Sequence, residues 1–221
     1  MNLEILAEGD GWIAVNKPAG VSVHNDPQDV LHLLAAQLKD KKYQQLHLAH
    51  RLDKETSGVL LLALTPACAK ELAGIFEERD CKKIYHAVLR GGMPVSDSWQ
   101  EWSWAISDKA EGRQNPQGLS KDRIDAKTRF KVINANKYLS LIEVELMTGR
   151  QHQIRKHAAI AKHAIIGDGR YNDPKFNKRM AEIYGTDRMF LHASRLDLSL
   201  DGKAISLEAP LPQEFVAIFK K

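Results

Sequence analysis

The sequence has few of the features that mark secreted or membrane-spanning proteins. It contains only two cysteines, Cys68 and Cys81, in 221 residues, too few for a disulfide framework. Its longest apolar run, residues 59–64, is far shorter than the ~20 residues that cross a bilayer. Acidic residues interrupt the first ten positions, so the sequence shows no signal for secretion. These absences predict a cytoplasmic protein that does not enter a membrane.

Motifs for metals and for nucleotide cofactors are also missing. There is no Cys-x-x-Cys pair, and His152 and His157 are spaced so that they diverge on a helix instead of sharing a metal ion. The phosphate-binding pattern Gly-x-x-x-x-Gly-Lys-Ser/Thr and the dinucleotide pattern Gly-x-Gly-x-x-Gly do not occur. We therefore expect neither a metal site nor a cofactor.

Positive charge is concentrated in one part of the chain. The net charge is +4 and the isoelectric point is about 9.0. Residues 150–195 contain ten Lys or Arg and four Asp or Glu, a net charge of +6 that leaves −2 for the rest of the chain. A basic segment in a near-neutral protein is typical of a polyanion-binding surface. It is also typical of an ordinary solvated surface, and charge alone leaves both interpretations open.

Hydrophobic periodicity and turn residues predict one α+β domain over residues 1–221. The predicted strands lie at 3–6, 12–15, 59–64, 83–89, 98–106, 126–133, 139–146, 196–200 and 204–207. The predicted helices begin near residues 29, 65, 148 and 173, with a short one in the tail. Residues 107–124 are polar and without periodicity, which predicts a mobile loop. Because most strands connect as hairpins, we expect a mixed, mainly antiparallel sheet flanked by helices.

The polar segment His50–Gly58 directly precedes the buried strand at 59–64. Polar loops held on a rigid strand often carry catalytic groups, which makes Asp53 a candidate. The alternative is a surface turn in which Asp53 pairs with Arg51 or Lys54, an interaction that contributes ~0–1 kcal/mol. The residues by themselves leave both interpretations open.

Two further segments combine polar or aromatic groups with positive charge. Thr148 and Gln151 have the spacing of a capping box, and the predicted helix would place Gln151, His152 and Arg155 on one face. Such a helix start is a good surface for anions or nucleic acid, or else a solvated amphipathic helix. Tyr85 lies among basic residues on a predicted strand, either as a half-buried core residue or as a stacking platform.

Read in order, these segments resemble the RluA-type pseudouridine synthases, which modify uridines in ribosomal and transfer RNA. The resemblance covers residues 3–210. It rests on six motifs: Asn16-Lys17-Pro18-x-Gly20, His50-Arg51-Leu52-Asp53-x-x-Thr56-Ser57-Gly58, Lys83-x-Tyr85, Thr148-Gly149-Arg150-x-His152-Gln153-Ile154-Arg155, Gly167-Asp168 and Leu191-His192-Ala193. Many relatives carry an S4-like RNA-binding domain ahead of the catalytic domain. Here the sequence starts at the first strand, so we expect a stand-alone catalytic domain with its cleft across the sheet.

The resemblance also implies roles for individual residues. Asp53 is the essential carboxylate, and Arg155 is the basic residue that pairs with it. Tyr85 packs against the uracil, Arg51 helps to hold the target nucleotide out of its helix, and Leu191 contributes to substrate binding. The RNA-binding residues that follow from the basic motif are Arg150, His152 and Lys156.

The implied activity is isomerisation of a uridine in a stem-loop of ribosomal or transfer RNA, by a monomer that uses no metal or cofactor. The C1′–N1 bond is broken and C1′ is joined to C5. Two alternatives are a non-catalytic RNA-binding module and a carboxylate-dependent N-glycosidase. A glycosidase usually has two carboxylates ~5–9.5 Å apart, and Glu55 is the only acid close to Asp53 in the sequence.

Overall fold

The computed structural model describes residues 1–39 and 45–220. The helices in this part of the chain are α1 (Val30–Gln37), α2 (Pro66–Glu78), α3 (Gln153–Ile160), α4 (Pro174–Tyr184) and α5 (Glu214–Ala217). The strands are β1 (Glu4–Gly9), β2 (Trp12–Lys17), β3 (His47–Leu48), β4 (Ser57–Ala63), β5 (Cys81–Arg90), β6 (Ser96–Trp102), β7 (Ile106–Ser107), β8 (Arg123–Ile124), β9 (Thr128–Ala135), β10 (Leu139–Leu146), β11 (Leu191–Leu200) and β12 (Lys203–Glu208). None of these helices is long and apolar enough to cross a membrane.

Local sequence signals set the ends of several helices. The side chain of Thr65 accepts a hydrogen bond from the backbone N–H of Cys68, and Pro66 occupies the first turn of α2. Asp173 and Pro174 begin α4 in the same way, and Gly185 ends it in a left-handed conformation. Proline suits the first turn because a backbone N–H at that position would have no partner within the helix. Glycine adopts the left-handed conformation of the C-terminal cap without strain. These boundaries confirm the sequence predictions.

The chain divides into two compact units. The first consists of Met1–Lys83 with Ala193–Pro210, and the second of Ile84–His192 with Leu211–Lys221. The predicted single domain over residues 1–221 stays a prediction. The predicted α+β class, with a mainly antiparallel sheet, is confirmed by the strand pairs within the units.

In the first unit β4 lies between β2 and β11, while β1 pairs with β2 and β12 with β11. All seven residues of β4 are buried. Helix α2 contributes Cys68 and Leu72 to a core formed with Leu61 and Leu196. At Gly58, which has a φ of +115°, a Cβ would lie 2.1 Å from the carbonyl oxygen of Ala193. No side chain fits at that position, so the two strands approach closely only because it is glycine.

In the second unit the strand order is β5, β10, β9, β6. Tyr85 on β5 lies opposite Val144 on β10, which in turn lies opposite Phe130 on β9. All three side chains are buried. Strands β7 and β8 form a separate small sheet, and the residues between them include a 3-10 helix, Ser120–Asp122.

Two predictions about this unit differ from the structure. The capping box expected at Thr148 and Gln151 is wrong, because α3 begins only at Gln153 and His152 caps it without a side-chain hydrogen bond. The Thr148 hydroxyl instead donates to Oε1 of Gln153 at 2.6 Å. Residues 107–124, predicted as a mobile loop, contain short regular elements. The ammonium of Lys156 on α3 donates hydrogen bonds to two carbonyls of this segment.

Candidate active site

The Asp53 loop of the first unit is anchored by a buried lysine. Lys17 is fully buried, and its ammonium donates hydrogen bonds to the carbonyl oxygens of Pro18, Val21 and Lys54 at 2.9, 2.8 and 3.0 Å. The backbone N–H of Gly20 donates to the same Lys54 carbonyl at 2.9 Å. The residue that follows Asp53 is therefore fixed to the turn after β2 by two independent contacts.

The rest of this loop is also held in place. Leu52 is buried, Asp53 is partly exposed and Arg51 is exposed. The N–H of Thr56 donates to the Asp53 carbonyl at 3.1 Å, which closes a tight turn. The ammonium of Lys54 lies 3.6 Å from a carboxylate oxygen of Asp26. Asp53 is thus a carboxylate on a rigid loop next to the buried strand β4.

His50 supports the start of the loop and is not built for proton transfer near neutral pH. Its Nε2 accepts a hydrogen bond from the N–H of Leu61 at 3.0 Å, and its ring packs 4.8 Å from that of Phe76. Burial, with a smaller contribution from the charge of Lys83, lowers the pKa of His50 to about 3. The imidazole is therefore neutral and acts as an acceptor.

The second unit holds Arg155 in a bidentate ion pair. The side chain of Arg155 is 4% exposed and that of Asp168 is 0% exposed. Nε of Arg155 donates to Asp168 Oδ2 at 2.8 Å, and Nη2 donates to Oδ1 at 2.9 Å. Oδ1 also accepts the backbone N–H groups of Arg170 and Tyr171 at 2.9 and 3.0 Å. Because paired bonds of this kind fix the plane of a guanidinium, the orientation of Arg155 is set.

Aromatic groups lie beside this ion pair. The guanidinium carbon of Arg155 lies 5.3 Å from the centre of the Tyr171 ring. His152 adopts a left-handed backbone conformation with a φ of +55°. Its Nδ1 lies 3.0 Å from the Tyr171 hydroxyl, within hydrogen-bond distance. The structure therefore brings the predicted residues His152 and Arg155 together around Tyr171, which the sequence did not single out.

Gln153 organises the turn before α3. Its Oε1 accepts from the Thr148 hydroxyl and from the N–H of Arg150. Its amide nitrogen donates to the carbonyl of Lys127 and to the hydroxyl of Thr128. This buried amide joins the Thr-Gly-Arg turn to the start of β9, a role that sequence reasoning missed because two of its partners, Lys127 and Thr128, lie about 25 positions away in the chain.

The remaining predicted residues occupy different environments. Tyr85 and Leu191 are buried, 9% and 4% exposed. Arg150 is partly exposed, and its Nε donates to the Asp125 carbonyl at 3.2 Å. Lys156 is fully buried and donates to the carbonyls of residues 107 and 109. Its burial favours a structural role over the predicted contact with RNA.

Asp168 and Lys17 are the positioning residues that sequence reasoning left without a role. Both belong to motifs on which the resemblance rests. Their contacts could not be predicted from the sequence because they form only in the fold: Asp168 lies 13 positions from Arg155. Within residues 1–39 and 45–220, no group of three or more His, Cys, Asp or Glu side chains is arranged to hold a metal ion.

Comparisons with known proteins agree with these features. A family model described as RNA pseudouridylate synthase matches residues 11–160. The chain is 34% identical to tRNA pseudouridine synthase C of Salmonella typhi over 98% of this chain and 88% of that protein. It is 36% identical to the Yersinia pestis protein of the same name, over 94% and 86%. The solved structure of human RNA Pseudouridylate Synthase Domain Containing 4 matches with a TM-score of 0.79 and 28% identity, covering 98% of this chain and 92% of that one.

Proposed function

Because the chain belongs to the RNA pseudouridylate synthase family, we propose that it isomerises a uridine of transfer RNA, with Asp53 as the essential carboxylate. Family membership confirms the prediction of an RNA pseudouridine synthase, an enzyme of the isomerase class. The choice of transfer RNA over ribosomal RNA is supported by the relatives named tRNA pseudouridine synthase C.

The chemistry explains which groups such an enzyme needs. Isomerisation breaks the C1′–N1 bond, turns the uracil and joins C1′ to C5. A stacked or paired base cannot turn, so the nucleotide must be flipped into a pocket at a cost of a few kcal/mol. Stacking of the base on an aromatic ring, worth ~1–3 kcal/mol, offsets that cost. No group is transferred to another molecule and no redox change occurs.

Asp53 has the properties required of the carboxylate. It lies on a loop that Lys17 and Gly20 fix at the next residue, so its backbone is preorganised for a bound nucleotide. Preorganisation matters because small displacements of a reacting group reduce rates sharply. Attack on C1′ and removal of the 2′ proton both use the ionised form of this side chain.

Arg155 is proposed as the partner of the Asp53 carboxylate, as the resemblance implies. Support comes from its ion pair with Asp168, which fixes the guanidinium through Nε and Nη2. An arginine held in this way forms strong, directed hydrogen bonds to a carboxylate. Tyr85 is proposed to pack against the uracil, Leu191 to contribute to its pocket, and Arg51, exposed beside Asp53, to hold the flipped nucleotide.

The RNA backbone is proposed to contact Arg150 and His152 at the turn before α3. Both belong to a segment of strong positive charge, and cationic side chains dominate the affinity of proteins for RNA phosphates. We further propose that the protein acts as a monomeric, single catalytic domain in the cytoplasm.

One assay tests the activity and the role of Asp53 together. Wild type, Asp53→Asn and Glu55→Gln are incubated with transfer and ribosomal RNA from cells that lack the gene, and both pseudouridine and free uracil are measured. Glu55→Gln is the matched control, because it removes an exposed acid from the same loop. We expect pseudouridine in transfer RNA from wild type and the control, and none from Asp53→Asn, whose RNA affinity should be nearly unchanged.

The other outcomes point to other functions. Release of uracil by wild type would indicate an N-glycosidase, and binding without modification of either RNA would indicate a binding module. Modification confined to ribosomal RNA would overturn the proposed substrate. Substantial pseudouridine formation by purified Asp53→Asn would defeat the proposed role of this carboxylate.

A further inference from the structure

A buried lysine lies at the junction of helix α3 with the segment before the 3-10 helix. The side chain of Lys156 is fully buried. Its ammonium donates to the carbonyl of Ser107 at 2.6 Å and to that of Lys109 at 2.7 Å. Lysine is almost never fully buried without compensation, because desolvating its charge is costly. Residues 107–109 therefore compensate a buried charge, and their backbone is arranged around it.

Other cationic or ring nitrogens hold the neighbouring carbonyls of the same segment. Nε2 of His157 lies 2.9 Å from the carbonyl oxygen of Trp104. Nη1 of Arg170 lies within hydrogen-bond distance of two more, at 3.2 and 3.3 Å. The carbonyls reached in this way are those of residues 104, 107, 109, 110 and 111. Side chains from residues 156–170 thus fix the course of residues 104–111.

Asp108 lies between the two carbonyls that Lys156 binds. Its Oδ1 accepts the backbone N–H of Gln151 at 2.6 Å. The next residue, His152, has a φ of +55°, a left-handed conformation that costs a residue with a side chain roughly 1–2 kcal/mol. The turn that carries Arg150 and His152 therefore contains a strained residue, and it is bonded to a carboxylate that lies between the two carbonyls bound by Lys156.

We propose that Lys156 is a positioning residue for RNA binding, which acts by holding residues 107–109 so that Asp108 fixes the turn at Gln151 and His152. This inference rests on the proposed function, because it takes Arg150 and His152 as RNA contacts. Since its ammonium is buried and donates to protein carbonyls, Lys156 acts through these neighbours and not by touching phosphate.

Two variants and a charge control test this role. Lys156→Met keeps the length of the side chain and removes the ammonium, while Asp108→Ala breaks the same connection at an exposed residue. Lys162→Met is the control, because Lys162 is an exposed lysine just beyond the same helix. Each variant removes one charged group. Lys156→Met also removes the contacts of Lys156 with the carbonyls of residues 107 and 109, and Asp108→Ala removes the contact with Gln151.

We expect Lys156→Met and Asp108→Ala to raise KM for transfer RNA about tenfold and to leave kcat within about twofold, the pattern for lost uniform binding. Lys162→Met should stay within about twofold of wild type in both constants. A second measurement uses no RNA. Limited trypsin digestion should cut Lys156→Met several-fold faster than wild type after Lys109, Arg113 and Lys121, because local release of a segment exposes it to cleavage.

Several results would overturn the inference. If KM for Lys156→Met equals that for Lys162→Met, the lysine contributes no more than its charge. If kcat falls while KM is unchanged, it acts on the chemical step. If the trypsin sites are cut no faster than in wild type, Lys156 does not hold the segment, whatever the RNA substrate proves to be. Should Lys156→Met fail to fold, an unchanged KM in Asp108→Ala would still refute the proposal.

Discussion

Replacing Asp168 with asparagine is the sharpest test of how Arg155 is held. The Asp168 carboxylate is fully buried and accepts four hydrogen bonds, two from the Arg155 guanidinium and two from backbone N–H groups. Asparagine has nearly the same size and shape. It removes the negative charge, however, and substitutes an NH2 donor for one of the oxygens that now face donors. The variant therefore withdraws the Asp168 counter-charge from a buried arginine without leaving a cavity.

The expected loss is large compared with the stability of a protein of this size. Removing one partner of a buried ion pair destabilises the folded state by ~3–5 kcal/mol, against a total unfolding free energy of ~5–15 kcal/mol. At about 2–4 °C per kcal/mol for 150–250 residues, Tm should fall by roughly 6–20 °C. Turnover should fall as well, because Arg155 loses the bonds that set its orientation.

Urea denaturation of four proteins measures the effect: wild type, Asp168→Asn, Arg155→Met and the double variant. A shift of the midpoint at constant slope reports a change in stability alone. The two single losses should not add, and a coupling of ~0.5–3 kcal/mol is expected for residues in direct contact. The control is Glu101→Gln, which breaks an exposed pair with Lys127 of similar length, 2.9 Å, and should cost ~1 kcal/mol or less.

If Asp168→Asn is no less stable than Glu101→Gln, Asp168 does not anchor a buried charge. If the double variant loses the sum of the two single losses in unfolding free energy, the side chains of Asp168 and Arg155 act independently. Full stability together with lost turnover would show that Asp168 matters for the reaction but not as the anchor of a buried charge.

Three further predictions concern the aromatic residue, the basic turn and a buried histidine. Tyr85→Phe should retain RNA binding and turnover, whereas Tyr85→Leu should lose most turnover, because only the ring stacks on a base; equal full activity in both would return Tyr85 to a core role. RNA affinity should fall steeply as the salt concentration rises. Arg150→Ala should reduce the slope of log affinity against log salt concentration by about 1, and filter binding at several salt concentrations measures this slope. The free energy of unfolding should fall as pH drops below about 6.5, because the folded pKa of His50 is about 3 and only the unfolded chain takes up that proton. Urea midpoints between pH 7 and 5 should fall less for His50→Gln, and equal falls would contradict this assignment.

The features predicted best from the sequence are those set by residues close together in the chain, such as helix starts. Thr65-Pro66 and Asp173-Pro174 mark helix starts because the capping oxygens lie within three positions of the backbone N–H groups that donate to them. Segment 107–124 could not be predicted in this way. Its polar, aperiodic composition is that of a loop, and the group that holds it, the Lys156 ammonium, lies 49 positions from Ser107.

The candidate site residues could be predicted from local motifs, but their contacts could not. Asp53 and Arg155 could be singled out because each stands in a dense motif. The bidentate contact of Arg155 with Asp168 could not be foreseen, since residue spacing does not tell which side chains meet after folding. The expected capping box failed for a related reason. Thr148 and Gln151 have the right spacing, but the Gln153 side chain bonds to Thr148, to Arg150 and to Thr128 of β9. This wider network accompanies the later start of α3 at Gln153.

The three carbonyls bound by Lys17 also have a consequence for dynamics. Because one ammonium joins the turn after β2 to the residue following Asp53, neither segment opens without breaking contacts of the other. Local opening of proteins occurs in such cooperative groups. The amide proton of Gly20, which is bonded to Lys54, therefore exchanges with solvent only when the loop that carries Asp53 is released. Hydrogen exchange at this single glycine reports how often the loop that carries Asp53 opens.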